Sequence, residues 1–581
     1  MSSAATTPAA APSRSARIER WVPGMRAART YDRRWLPRDV VAGVVLVTLL
    51  VPQGMAYAEL AGLPPITGLY TTVICLLAYA LMGPSPVLVL GPDSSLGPII
   101  AATILPLAAG NEQQAVALAG ALALIVGAIT VGAGLARLGF VADLLSNPVR
   151  VGYLAGLAVV ILVGQLPKLF GFSVDATGLV NELATFLRSL DQTNPWALGV
   201  GLLSLVIILA LQRVRPRAPG ILVAVVTAIV LSIALDLASR GVAVVGVLPQ
   251  GFPLPSVPSV PIEDLPLLVG AAVGISLVAI GDTISTAGGF ASRTGYEVDG
   301  DQELAGIGAA NLGAGLFSGF PVSTSGSRTA VAYQAGAKTQ LTGIIAAALV
   351  LLMLLVAPGL VQAMPQPVLA AVVICASLSL FDAVELRHLA RVRPMEFALA
   401  TACALGVALI GVLQGIVLAV VLSAIYIFAR AWSPYSAVLG RPSGVAGYHD
   451  LTRFPGAEEV PGLLIVRWSA PLFFANANLF RQRLRALIAA SPERPAWVLV
   501  AAAPIVDIDT TAGTMLAELD HELNAAGTHL AFAELQDRVR DDIVRYGLLE
   551  TIDAGHFYRT VDDAVAAFQL ETASRPARID P

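Results

Sequence analysis

Residues 312–328, LGAGLFSGFPVSTSGSR, lie within a long apolar region, yet no helix is expected to run smoothly through them. On this reading Gly313, Gly315, Gly319 and Pro321 break the backbone. Four small hydroxyl residues follow, Ser323, Thr324, Ser325 and Ser327, and then Arg328, a full charge at what should be membrane depth. A short helix resuming there presents free N–H groups and the positive end of its dipole, which is how a protein makes an anion site without water. The plainer alternative is a polar loop outside the membrane. Against it stands a second interrupted stretch, residues 82–95 (MGPSPVLVLGPDSS), at the corresponding place in the first half of the chain. Two interrupted segments in matching halves are the mark of a transport site built from half-helices.

Composition agrees with a membrane setting. Of 581 residues, 56% are hydrophobic and 13% charged, and the mean hydropathy is +0.75. A soluble protein of this length does not look like that, so the chain reads as a polytopic membrane protein. The net charge of −4 says little about partners, and no basic patch with interleaved aromatics points to nucleic acid. Arginines crowd the first forty positions (Arg14, Arg17, Arg20, Arg26 and on to Arg38) with no apolar run close behind the first of them. That is no cleaved signal peptide, and the positive-inside rule keeps it cytoplasmic. Residues 1–13 read as disordered and 21–38 as an amphipathic, interfacial segment. Cys75, Cys375 and Cys403 read as small core residues, with no disulfide or metal cluster expected.

From residue 40 the apolar runs predict spans at 40–58, 66–82, 94–107, 115–136, 151–169, 196–211 and 220–238. A proline-rich connection, 249–261, precedes a second set at 265–284, 303–317, 325–334, 341–357, 368–380, 395–412 and 416–431. Arg213, Arg215 and Arg217 fall between the sixth and seventh spans, and Arg387, Arg391 and Arg393 between the twelfth and thirteenth. With the N-terminus inside, both clusters are cytoplasmic, as is the C-terminus. Seven spans per half, an odd number, makes the halves inverted repeats.

After Trp432 the pattern changes. Residues 462–480, GLLIVRWSAPLFFANANLF, read as a strand, a turn and the start of a helix. Strands at 496–506 and 529–534 alternate with helices at 510–526, 537–546 and 561–569, which predicts a small α/β domain. It contains neither of the glycine-rich nucleotide-binding patterns, and no enzyme activity is expected of the chain. The expected division is a cytoplasmic segment at 1–38, a transmembrane domain at 39–432, the cytoplasmic α/β domain at 433–570 and a tail at 571–581.

Four stretches together resemble the sulfate permease family of anion transporters, over nearly the whole chain. They are VPQGMAYA at 51–58, IGDTIST at 280–286, NLGAGLFSGFPVSTSGSRTAVAYQAGAK at 311–338, and PGLLIVRWSAPLFF at 461–474. The last is similar to the start of a STAS domain. The resemblance implies an α-helical membrane protein with fourteen helices as inverted repeats, split into a core and a gate, in a plasma membrane. It also implies a substrate site between the third and tenth half-helices, a cytoplasmic STAS domain, and a homodimer in the lipid bilayer. Two departures stand out. The family mostly has Glu where this chain has Asp282; Asp282 with Thr286 resembles the bicarbonate-transporting branch, where such a pair helps hold sodium. Asp93 occupies a place where small neutral residues are usual. A carboxylate there would repel an anion, so Asp93 reads better as the cap of the third half-helix.

The expected substrate-binding residues are Gln53, Tyr57, Ser94, Ser95, Ser325, Gly326, Ser327 and Arg328. Hydroxyls and free backbone N–H groups at the two half-helix starts can replace an anion's hydration shell. Gln53, just after Pro52, offers an amide to substrate or, equally, a bond to another helix. Asp282 is the only acid in the eighth span. A charge at the bilayer centre costs ~2.5–3.5 kcal/mol, so a coupling role with Na+ or H+, assisted by Thr286, is favoured. Glu303 reads as a structural residue at a membrane boundary. In STAS signalling proteins a phosphorylated Ser or Thr occupies the place of Thr510 and Thr511; the alternative there is an ordinary helix cap. His388, His449, His521, His529 and His556 lie outside the spans, so no metal is expected beyond sodium, and no cofactor. Sulfate is the expected substrate. Sodium-dependent bicarbonate transport, proton-coupled dicarboxylate transport and an anion channel are the rivals. A membrane-tethered signalling protein is disfavoured by the full set of spans, and a nucleobase symporter by the STAS tail.

Overall fold

Each apolar run folds as a helix, and its ends are set by glycine, proline or a polar cap. The computed structural model describes residues 22–139, 146–174, 176, 178–215, 219–247 and 249–574. The expectations for residues 1–21, Arg217 and the end of the tail lie outside these. The chain divides into two compact units after Ser423.

The first unit contains α1 (Pro23–Arg29), α2 (Leu36–Leu60), α3 (Pro65–Met82), β1 (Leu90–Gly91), α4 (Gly97–Ala108), α5 (Glu112–Leu135), α6 (Asn147–Phe170), α7 (Leu179–Arg188), α8 (Pro195–Val214) and α9 (Gly220–Ala234). Its second half holds α10 (Leu265–Thr294), α11 (Gly300–Leu316), β2 (Ser323–Thr324), α12 (Gly326–Gln334), α13 (Leu341–Val356), α14 (Gln366–Leu380), α15 (Ala383–Val392), α16 (Pro394–Leu409) and the start of α17 (Val412–Trp432). Every expected span has its helix. Among the described residues, eight helical stretches are long and apolar enough to cross a membrane and four apolar helices are shorter, so length alone leaves the number of crossings open.

Two groupings emerge from the packing. Helices α2, α3, α5, α10, α11 and α13 pack on one another, and α6, α8, α9, α14 and α16 form the second set. Small residues let the backbones approach. A Cβ on Gly315 of α11 would stand 2.5 Å from the Gly120 carbonyl oxygen of α5, and one on Gly152 of α6 would stand 2.1 Å from that of Ala400 in α16. This corrects the reading of Gly313 and Gly315. They do not break a helix; α11 runs through both, and they make room for α3 and α5. The break comes after Leu316, where Ser318 adopts φ 56° and Pro321 follows.

Other ends differ for identifiable reasons. The eighth span continues to Thr294 because STAGGFASR contains no proline, and it stops where Gly295 takes φ 79°. Proline does not end α2 at Pro52 either: the helix continues, and the Thr48 carbonyl loses its helical donor. The amphipathic α7 and α15 have no apolar run to betray them. Of the segment 21–38, the described part is α1, a short turn at 33–35 and the beginning of α2. Asp39, in that first turn, is fully buried and accepts from the Lys338 and Thr339 amides and the Thr339 and Thr342 hydroxyls at 2.7–3.2 Å, fastening α2 to the start of α13. Glu303 is no boundary residue in the exposed sense. It is fully buried, with the Tyr79 hydroxyl donating at 2.7 Å and the Ser85 hydroxyl donating to its other oxygen.

The second unit carries β3 (Ser436–Gly440), β4 (His449–Asp450), β5 (Leu463–Trp468), α18 (Ala477–Ala490), β6 (Trp497–Ala501), α19 (Thr510–Ala525), β7 (His529–Ala533), α20 (Asp537–Arg545), β8 (Phe557–Tyr558) and α21 (Val561–Ser574). The sheet order is β4-β3-β5-β6-β7-β8, antiparallel through β3 and parallel from β5 onward. The parallel strands are buried on both faces, which is why they read as unbroken apolar runs. One face packs on α18, α19 and α20 and the other on α21. The strand expected at 496–506 is shorter, β3 was not expected, and β4 and β8, with two residues each, are too short to show in the sequence pattern.

Candidate functional site

The two interrupted stretches meet. Leu90 pairs with Thr324 and Gly91 with Ser323 in an antiparallel ribbon of two residues per strand. The Ser325 amide donates to the Val89 carbonyl at 3.1 Å, and the Val89 amide to Thr329 Oγ1 at 3.0 Å. Extended backbone at membrane depth needs such partners. Asn311 supplies the rest, its Oδ1 accepting from the Val322 amide at 2.9 Å and its Nδ2 donating to the Val322 carbonyl at 3.2 Å. The ribbon sets the starts of α4 and α12 side by side.

A cavity of about 830 Å³ lies in front of them. Gln53 and Tyr57 reach it from α2, Ser94 and Ser95 from the turn before α4, and Ser325, Gly326 and Ser327 from the start of α12. Asp282 and Thr286 reach it from α10. The structure thus brings together every expected site residue of the first unit except one. Arg328 is fully buried behind the wall, with Nη2 3.7 Å from Asp93 Oδ2 and, among the described residues, no hydrogen-bond partner for its three guanidinium nitrogens. Gly91 leaves room there, since a Cβ would come 2.7 Å from Arg328 Nη1. The Arg328 charge is therefore turned to Asp93 and not to the cavity.

Asp93 has a second function. Its Oδ1 accepts from the Ser95 amide at 2.9 Å and from the Ser95 hydroxyl at 2.8 Å. It fixes the turn before α4, four residues ahead of the helix proper, which begins at Gly97. The same hydroxyl lies 3.3 Å from Asp282 Oδ2. At the other half-helix, Ser325 is the cap of α12 and its Oγ lies 3.1 Å from that of Ser327. Thr283 and Thr324 share a hydrogen bond of 2.9 Å between α10 and the ribbon.

One charged cavity residue escaped the sequence reading. Arg150, in the first turn of α6, lines the cavity and donates from Nη1 to Ser285 Oγ at 3.1 Å. Its signal was a basic residue two positions after Pro148, one position outside the span expected from 151. Among the described lining residues those charged at neutral pH in water are Asp93, Asp282 and Arg150.

In the second unit Asp509 caps α19, one oxygen accepting from the Ala512 amide and the other from Phe474, both at 2.8 Å. Thr510 and Thr511 are exposed in that helix's first turn, so the capping role belongs to Asp509 and both hydroxyls are accessible. Asp520, on the buried face of α19, accepts from Asn524 at 3.0 Å. Burial pushes its carboxyl up to about 6, against the opposing pull of His529 and His521.

The sequence matches the sulfate permease family over residues 36–403 and the STAS domain over residues 455–564. A probable sulfate transporter of Mycobacterium tuberculosis is 42% identical over 550 residues, covering 94% of this chain and 98% of that protein. The chloroplastic sulfate transporter 4.1 of Arabidopsis thaliana is 32% identical over 573 residues, covering 94% and 82%. A solved structure of murine solute carrier 26 family member A9, an anion transporter in its inward-facing state, matches with a TM-score of 0.88 over 97% of each chain. Its identity is 23%, so that likeness is one of fold.

Proposed function

Because the chain belongs to the sulfate permease family, a family of multi-pass membrane anion transporters and not of enzymes, we propose that it carries sulfate across the plasma membrane by alternating access, with one proton or sodium ion held at Asp282 and Thr286. The observation that carries this reading is the ribbon between residues 90–91 and 323–324, which aims two half-helix starts and the hydroxyls of Ser94, Ser95, Ser325 and Ser327 at one cavity.

A charge count supports the cation. Arg328 is balanced by Asp93. What remains to face an anion is about +1 from two helix N-termini, one positive charge on Arg150 and one negative charge on Asp282. Sulfate, at −2, then leaves about one negative charge in a poorly solvated place, where it is costly. One proton or Na+ removes it. Bicarbonate, at −1, balances with no cation.

In this reading the group of helices that includes α2, α10 and the two half-helices is the core, moving against the gate group. Fourteen crossings in two inverted sets of seven place both termini in the cytoplasm. On that reading the cavity is lined near its cytoplasmic side by Arg150 at the beginning of α6 and Gln212 near the end of α8. Residues 39–432 form the transport domain and 433–570 the regulatory STAS domain, in a homodimer. Phosphate on Thr510 or Thr511 would gain from the positive end of α19.

The test is uptake into proteoliposomes of labelled sulfate against labelled bicarbonate, with and without sodium and pH gradients. Saturable sulfate uptake driven by a cation gradient is expected. Preference for bicarbonate or a dicarboxylate, or an ohmic anion current, would overturn it.

A further inference from the structure

We infer that Arg150 sets a preference for doubly charged over singly charged anions. The inference deepens the reading of the cavity as a sulfate site with a cation at Asp282, and rests on it.

The cavity has unequal walls. The core side holds most of the hydroxyls, the Gln53 amide and both carboxylates, whereas the gate side presents mainly apolar groups such as Leu154, Leu209, Ile221 and Val372, with the neutral Gln212 and Ser379. Arg150 is the only Lys, Arg or His among the described lining residues, and it comes from the gate side. Its guanidinium reaches across to the core: Nη1 donates to Ser285 Oγ at 3.1 Å, while Nη2 donates to Asn147 Oδ1 at 3.2 Å. Asn147 in turn donates to Glu385 Oε1 at 3.1 Å. Ser285 follows Asp282 by three positions on α10, so the positive charge is parked one helical turn from the carboxylate, near enough for the two to attract.

Both atoms that hold Arg150 are neutral. A hydroxyl and an amide oxygen are weaker partners for a guanidinium than an oxyanion, whose bonds are charge-assisted and two-pronged. An anion in front of Ser325 and Ser327 therefore competes well for Arg150. Once a cation has neutralised Asp282, the helix ends contribute about +1 and Arg150 one more, which matches a charge of −2. Without Arg150 the same site matches −1. The residue thus decides the valence of the cargo, and the two helix ends decide only its sign.

The test is counterflow in proteoliposomes with no cation gradient, so that a failure of coupling at Asp282 does not enter. Labelled sulfate is exchanged against unlabelled sulfate or nitrate. In Arg150→Gln the preference for sulfate over nitrate should fall by about tenfold or more, the scale expected for removing one close charge. Arg150→Lys, which keeps the charge, and Ser285→Ala, which frees the guanidinium, should retain the preference. Equal losses for sulfate and nitrate, or Ser285→Ala and Arg150→Lys behaving like Arg150→Gln, would show a structural strut and overturn the inference. If Arg150→Gln is not recovered folded, Arg150→Lys decides: an unchanged preference supports the inference and a lost one ends it. A wild-type protein with no preference for sulfate would instead sink the substrate reading itself.

Discussion

Ser95 Oγ stands between two carboxylates, 2.8 Å from Asp93 Oδ1 and 3.3 Å from Asp282 Oδ2. A hydroxyl has one proton to give, so it serves one acid at a time. Asp93 has the Ser95 amide as well and a counter-charge in Arg328. Asp282 has no second hydrogen-bond donor among the described residues. Of the two, Asp282 is the one left open to a proton or a cation.

Asp282→Asn should therefore separate exchange from coupling. Sulfate counterflow is expected to persist in part, while uptake driven by a sodium or proton gradient loses its cation dependence. The two assays run side by side on one preparation. Wild-type cation dependence in the mutant would remove Asp282 from the coupling role.

Ser327→Glu should abolish uptake while the protein still inserts and folds. The residue is exposed to the cavity in the first turn of α12, so the change needs no repacking, yet it puts a carboxylate where the anion is expected. Undiminished transport by the purified mutant would place the site elsewhere.

Arg328 should matter to folding more than to selectivity. Removing one member of a fully buried ion pair costs about 3–5 kcal/mol; here Arg328 is fully buried and Asp93 lines the cavity, so the cost should be smaller than that. Arg328→Ala should lower the melting temperature clearly, and Asp93→Asn combined with Arg328→Gln should recover much of it. If the double mutant melts no higher than the single, the two charges are not a pair.

In the STAS domain, Asp520→Asn gives a pH signature. The folded carboxyl titrates at about 6, above its ordinary 3.8, because burial penalises the charge. A raised folded value means that stability is full below about 4 and is lost as pH rises through 6. With solvent screening allowed for, the ionised carboxyl should cost about 1–2 kcal/mol at neutral pH. The soluble fragment 433–574 should therefore melt cooperatively, and the Asn variant should be the more stable near neutral pH, with the gap closing as pH falls below 6. A gap that does not change with pH would mean that Asp520 is ionised in water-like surroundings. An insoluble fragment would count against a boundary at 433.

The helices were legible because lipid and core both demand unbroken apolar runs. The half-helix sites were legible because hydroxyls, glycine and proline in such runs have few other uses. The ribbon was not, since pairing across more than two hundred residues leaves no local pattern; each half showed only an interruption. Gly313 and Gly315 misled because a glycine that admits a neighbouring helix looks the same in sequence as one that ends a helix. Arg328 misled because its partner, Asp93, lies in the other half of the chain. Arg150 was missed because a basic residue at a span's edge is explained equally well by topology.

The ribbon also bears on thermodynamics. Because the two short strands that lead into α4 and α12 are hydrogen-bonded to each other, the hydroxyls proposed to hold the anion keep their spacing whichever way the cavity faces. Their share of the affinity would then be the same at both membrane faces, and a difference between the faces would have to come from the gate side and Arg150. In the proposed carrier, net flux would follow the concentrations and voltage on the two sides, and reversing the gradients should reverse transport.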